Sequence, residues 1–187
     1  NILESFTRVG LLLDLGTIPR EQLWIKRVEK SSCSIGVSSH RQYILVSKRL
    51  GVHDGYVLAS HSSLPFRKYA FDAILIHGLL EYLIKVEGVK VLNEALQVAR
   101  KRVVAIIPNK GYPISDSYKC YRSIWSAREL KELGFRIYGI NFRVDLERKI
   151  KILKAAPPLQ LVLTKIFPLL MSSRLFSIKD VTTKDNT

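Results

Sequence analysis

The sequence predicts an α/β fold, a mostly parallel sheet with helices on both faces. Strand-like and helix-like stretches alternate along the chain, the order that a parallel sheet with crossover helices requires. Val9–Gly16 is an apolar run that ends in an acid and a glycine, Asp14-Leu15-Gly16. Phe71–His77, with Asp72 at its entrance, and Val103–Ile107 are mostly apolar stretches of strand length, as expected of strands covered on both sides.

The elements follow in order. After the first strand, Pro19 suits the opening turn of a helix, where its missing N–H costs little. Leu23, Trp24 and Val28 supply that helix with an apolar stripe. A short strand is expected over Cys33–Val37, a helix over Arg41–Leu50 and a third strand over Tyr56–Ala59, with Gly51 and Gly55 marking the turns. The fourth strand, Phe71–His77, carries Asp72 at its entrance. Val89, Leu92, Leu96 and Ala99 recur at helical spacing and predict the next helix, closed by Arg100-Lys101-Arg102 as cations at the negative end of the helix dipole. Pro108 stops the fifth strand. Ser126 and Glu129 have capping-box spacing, with Gly134 as the stop of that short helix. Strands over Phe135–Phe142 and Leu175–Lys179 complete the set, and the polar tail Asp180–Thr187 is expected to fray.

With 187 residues, 47% hydrophobic and 25% charged, the chain has an ordinary globular composition and suits one domain over 1–187. Within it, about 145–172 reads as a basic and apolar insertion before the last strand. Its cations Arg148, Lys149, Lys151 and Lys154 precede Pro157-Pro158 and the apolar Leu159–Met171. This segment suits core packing, oligomerisation or contact with an acidic lipid surface. Thirty Lys and Arg against 16 Asp and Glu give a net charge of +14, a field that attracts RNA or another polyanion, although the cations are scattered. Cys33 and Cys120 form no CxxC pair, so no zinc site or disulfide framework is indicated, and a cytoplasmic location is expected. No apolar run reaches the roughly 20 residues of a transmembrane helix. The first residue is Asn1 rather than Met, which leaves room for natural sequence upstream.

Four places carry a family likeness. They are Leu13-Asp14-Leu15-Gly16, Ser63-Leu64-Pro65-Phe66, Phe71-Asp72-Ala73-Ile74 with Leu80-Glu81-Tyr82-Leu83, and Arg102-Val103-Val104 through Ile107-Pro108-Asn109. Trp125-Ser126, Glu129-Leu130 and Leu133-Gly134-Phe135 extend the match. In order and spacing they resemble the class I S-adenosylmethionine-dependent methyltransferases, in particular the small enzymes called type 11. The resemblance implies a Rossmann-like methyltransferase fold with a mostly parallel seven-stranded sheet. It also implies S-adenosylmethionine as cofactor, held at the carboxyl ends of the strands where strand order reverses.

The same resemblance nominates Asp14, Gly16, Thr17, Ser38, Ser60, His61 and His77 as cofactor-binding residues, and Glu81, Asn109 and Tyr112 as substrate-binding residues. Several positions depart from the family. Gly16 is followed by Thr17-Ile18-Pro19-Arg20 rather than further glycines, and serines stand at 38 and 60 where the family places acids. A neutral hydrogen bond contributes only about 1 kcal/mol net. Together these losses amount to several kcal/mol, on the order of a hundredfold in affinity. Two readings therefore follow: a methyltransferase of unknown acceptor, or a degenerate module of the same fold that binds RNA or a protein. Methyl transfer from a sulfonium relies on positioning, so no catalytic base is assigned. Glu81 and Asn109 also have structural readings, as a helix cap and a turn residue. His40, His61 and His77 fall near strand ends, but their separations match no short metal-ligand motif. Tyr112, Tyr118, Tyr121 and Trp125 with Lys110, Lys119 and Arg122 form either a nucleobase clamp or a lid packed on its own aromatics.

Overall fold

A computed structural model describes residues 9–16, 33–109, 120–142 and 172–181. Its elements are β1 (Leu11–Leu15), β2 (Cys33–Ser38), α1 (Arg41–Leu50), β3 (Gly55–Leu58), β4 (Phe71–His77), α2 (Lys85–Val98), β5 (Ala99–Pro108), α3 (Ala127–Glu132), β6 (Arg136–Phe142) and β7 (Ser172–Asp180). They form a seven-stranded sheet in the order β3-β2-β1-β4-β5-β7-β6. β1 to β5 pair in parallel, whereas β7 runs antiparallel to both β5 and β6. Strand order reverses beside β1, which opens the sheet at the carboxyl ends of β1 and β4.

Register explains the two cores. Leu13 pairs with Ile35 and Ile74, and Leu12 with Ser34 and Ala73, so alternate residues divide between the faces. One face carries Leu13, Leu15, Val37, Ile74, Ile76, Val103, Ala105 and Ile107, packed against Val91, Leu92, Ala95 and Val98 of α2 and Leu130 of α3. The other gathers Leu12, Ala73, Leu75, Val104, Ile106, Phe176 and Ile178. Over the β2–β3 end of this second face lies α1, where the Tyr56 hydroxyl donates to the Ser47 carbonyl at 2.8 Å. All seven residues of β4 are buried, Asp72 and His77 among them.

Two features of the α2–β5 region differ from expectation. The buried stripe of α2 is Gly88, Val91, Leu92, Ala95 and Val98, rotated from the predicted Val89, Leu92, Leu96 and Ala99. Gly88 explains the rotation: a Cβ there would lie 2.5 Å from Trp125 Cζ2, so the bare backbone is what admits the buried indole. The helix also ends earlier, so Arg100-Lys101-Arg102 is not its cap but the first part of β5. The cause is Asp72. Its Oδ1 receives Arg100 Nε at 3.0 Å and lies 3.1 Å from Lys101 Nζ, while Oδ2 accepts the N–H groups of Gly10 (2.9 Å) and Leu11 (3.1 Å). This carboxylate ties the entrances of β1, β4 and β5 together. The capping box at α3 forms as predicted, with Glu129 N–H on Ser126 Oγ (3.2 Å) and Ser126 N–H on Glu129 Oε2 (2.7 Å). Gly134 follows at φ 84°.

Candidate functional site

Asp14 is the penultimate residue of β1 and is buried. Its Oδ2 lies 3.1 Å from Nε2 of His53, a side chain also removed from solvent, whereas Oδ1 has no hydrogen-bond partner among the described residues. His53 precedes β3 and continues the contact outward: Nδ1 lies 3.3 Å from Ser34 Oγ, and Ser34 Oγ donates to Asp54 Oδ2 at 3.3 Å. The Ser34 N–H strengthens that last link at 2.7 Å.

Gly16 closes β1 at φ 95°, a conformation that favours glycine. A Cβ on it would stand 2.8 Å from Leu79 Cβ and 3.2 Å from the His77 carbonyl oxygen. The turn itself therefore demands this glycine, independently of any ligand. Ser38 ends β2 with its hydroxyl buried and accepting His40 N–H at 3.1 Å.

The loop after β3 holds two of the nominated residues, in different settings. Ser60 is exposed, and its hydroxyl is engaged locally with Ser62 Oγ (3.1 Å) and Ser62 N–H (3.4 Å). His61, next to it, is buried and hydrogen-bonds the Val37 backbone carbonyl. Its Nε2 has no hydrogen-bond partner among the described residues, so Nδ1 makes the Val37 bond and Nε2 is an acceptor. Burial pushes this imidazole below its usual pKa; the Val37 bond and the Asp14 charge oppose that shift, and His40 adds to it.

On the other side of the crevice, His77 ends β4 buried, with Nε2 2.6 Å from Arg174 Nη1. A guanidinium only donates, so Nε2 accepts and the ring proton sits on Nδ1. Arg174 comes from β7, opposite Pro108 of β5, and Asn109 follows at the same rim, half-buried. Glu81 is buried in a single 3₁₀ turn, Leu80–Tyr82. That turn is stapled by residues 122–125: the Glu81 carbonyl accepts the N–H groups of Arg122 (2.8 Å) and Ser123 (3.2 Å), and the Leu80 carbonyl accepts Ser123 Oγ (2.9 Å) and Trp125 Nε1 (3.3 Å). The side chain that caps α2 is Glu87, which accepts Ile84 N–H at 3.3 Å, so the helix-cap reading of Glu81 is corrected. Trp125 is core rather than clamp, and Tyr121 packs edge-on against Tyr82 at 5.2 Å. Thr17, Tyr112, Tyr118 and the insertion about 145–172, apart from its last residue, lie outside the described residues.

Asp14, Gly16, Ser38, His61 and His77 thus stand at the carboxyl ends of β1 to β4 or in the loops that leave them, and of the two residues nominated after β3 His61 is buried and Ser60 exposed. Sequence reasoning missed His53 and Arg174. His53 is 39 residues from Asp14 and Arg174 is 97 from His77, so only strand order brings either pair together.

No protein-family model matches the sequence, and no curated protein does. Solved structures do match. An S-adenosylmethionine-dependent methyltransferase from Archaeoglobus fulgidus has a TM-score of 0.66 at 17% identity, covering 96% of this chain and 89% of that one. A possible histamine N-methyltransferase from Thermotoga maritima gives 0.65 at 11%, over 97% and 86%. The methyltransferase domain of the bacterial protein CtHen1-C gives 0.65 at 14%, over 97% and 94%. The fold is that of the class I S-adenosylmethionine-dependent methyltransferases.

Proposed function

We propose that the chain is an S-adenosylmethionine-dependent methyltransferase of unidentified acceptor, with its donor held at the carboxyl ends of β1, β2 and β3. The observation that carries this reading is a pair of buried acceptors without partners among the described residues, Asp14 Oδ1 and His61 Nε2, on either side of β2. Burying polar atoms unsatisfied costs about 1–3 kcal/mol each, a cost that a donor-bearing ligand relieves. An adenosyl amino acid fits, because it carries an ammonium, ribose hydroxyls and an exocyclic amine. Asp14 suits the ammonium, Ser38 a hydroxyl and His61 the amine. When bound, S-adenosylmethionine supplies a methyl group on a sulfonium that needs no further activation. The protein's part is orientation: His77, fixed by Arg174, Asn109 and Glu81 serve the acceptor side. Two cysteines with no disulfide accord with a cytoplasmic location.

Calorimetry on the full chain tests this with S-adenosylmethionine and its demethylated product, S-adenosylhomocysteine. Binding at micromolar concentration is expected. Asp14→Asn and His61→Leu each weaken it about tenfold, the equivalent of one lost hydrogen bond to a buried group. These variants are cleaner than Gly16 substitutions, which disturb the turn regardless of ligand. Absence of heat with both compounds overturns the reading. In that case the serines at 38 and 60 and the net charge of +14 favour a cofactor-free module that binds RNA or a protein, read by a salt-dependent mobility shift with single-stranded RNA and by pull-down.

A further inference from the structure

We propose that His53 is a positioning residue of this site. It holds Asp14 with Oδ1 offered to a cationic group of the ligand, and ligand entry expels one proton from the chain Asp54–Ser34–His53–Asp14. The inference rests on the methyl-donor reading and adds to it a residue and a proton that the fold does not imply.

A proton inventory carries the argument. Ser34 Oγ has one proton and two contacts, His53 Nδ1 at 3.3 Å and Asp54 Oδ2 at 3.3 Å. An ionised carboxylate cannot donate; in the proposed arrangement the hydroxyl proton goes to Asp54, and Nδ1 then donates to Ser34. The 3.1 Å contact between Nε2 and Asp14 Oδ2 needs a second proton, whether on nitrogen or oxygen. The Asp14–His53 pair therefore holds one proton more than a carboxylate beside a neutral imidazole. Among the described residues, titratable groups set against the ring include Asp14 of β1, Asp54 through Ser34 of β2, and Tyr56 of β3. Tyr56 lies 5.8 Å away edge-on, and its hydroxyl receives His53 N–H at 3.0 Å. His61 lies within electrostatic range of Asp14.

A ligand ammonium on Oδ1 brings a second positive charge to a carboxylate that already serves one. In a buried site the two cations repel strongly. The extra proton leaves through Ser34 and Asp54 to solvent, after which the Ser34 hydroxyl turns to donate to Nδ1. Charge is conserved: one cation enters and one proton goes out to buffer.

The test is calorimetry with S-adenosylhomocysteine in buffers of different ionisation enthalpy, which counts released protons. About one proton per ligand is expected from wild type. His53→Gln, whose amide still donates to Asp14, abolishes the release and keeps affinity within about threefold, whereas His53→Leu loses about tenfold. On unmodified protein, the histidine ring ¹⁵N spectrum should show both His53 nitrogens proton-bearing without ligand and Nδ1 bare with it, a readout that needs no variant to fold. Binding without proton release, or release that persists in His53→Gln, overturns the inference and leaves the methyl-donor reading intact. A wild-type protein that binds no S-adenosylhomocysteine overturns both.

Discussion

Asp72 offers the sharpest test of how this sheet is held. Replacing it with alanine removes one carboxylate that serves two backbone donors and two cations, at separations of 2.9 to 3.1 Å for Gly10 N–H, Leu11 N–H, Arg100 Nε and Lys101 Nζ. The cationic side chains are half exposed, 53% for Arg100 and 54% for Lys101, so solvent screens them and together they contribute about 1 kcal/mol. Each stranded N–H costs about 1–2 kcal/mol. The sum is about 3–5 kcal/mol, a large share of the roughly 5–15 kcal/mol typical of a domain, and it lowers Tm by about 10 °C in a chain of this size. Asp72→Asn keeps one acceptor for the N–H pair and should lose about half as much.

Acid adds a second readout. Burial disfavours the charged form of Asp72, but the Arg100 guanidinium, Leu11 N–H, Lys101 ammonium and Gly10 N–H outweigh it and hold the carboxyl well below the usual range. A folded-state pKa below the unfolded value of about 3.9 means that the stabilisation is fully present above pH 4 and fades as pH falls toward the folded value. Chemical denaturation from pH 7 to 2 should therefore show wild type losing its advantage over Asp72→Asn below pH 4. An unchanged Tm, or parallel acid profiles, would refute this account of the β1–β4–β5 entrance.

Two further predictions concern the α2–α3 contact. Gly88→Ala places a methyl against the Trp125 ring and should destabilise by about 1–3 kcal/mol, measured by urea unfolding, with partial recovery in Gly88→Ala/Trp125→Phe. Glu129 is held at about pKa 2, first by the Lys85 ammonium against an opposing burial effect, then by the Ser126 N–H and hydroxyl. Its contribution is present above about pH 4.3 and lost as pH falls toward 2. Glu129→Gln should flatten that part of the acid profile and leave it unchanged at high salt.

The sequence disclosed elements wherever local chemistry decides them. Phe71–His77 is bounded as predicted because the apolar Ala73–Ile76 segment is long enough for one buried strand and the chain turns at Gly78, with φ 64°. Ser126 and Glu129 cap α3 because their spacing fits a single turn. What escaped notice depends on distant partners. Ala99 to Arg102 join β5 because Asp72, nearly 30 residues earlier, draws Arg100 and Lys101 across. The face of α2 is set by an indole that reaches Gly88 from beyond β5. In the candidate site, Asp14 was legible from its place before Gly16, and the resemblance nominated both Ser60 and His61 after β3. The buried, open nitrogen belongs to His61, because the serine hydroxyl spends itself on a local turn. His53 carries no signal until β1, β2 and β3 are laid side by side.

The position of β7 bears on how the molecule is made. Of the described strands it is the last to leave the ribosome, yet it lies inside the sheet between β5 and β6, contributing Leu175, Phe176 and Ile178 to the two cores. Until translation has passed Asp180, the edge of β5 stays open and Phe142 has no Ser172 to pair with. A nascent chain halted earlier presents Val104 and Ile106 beside a row of unsatisfied peptide groups, a surface that invites chaperones or a neighbouring chain.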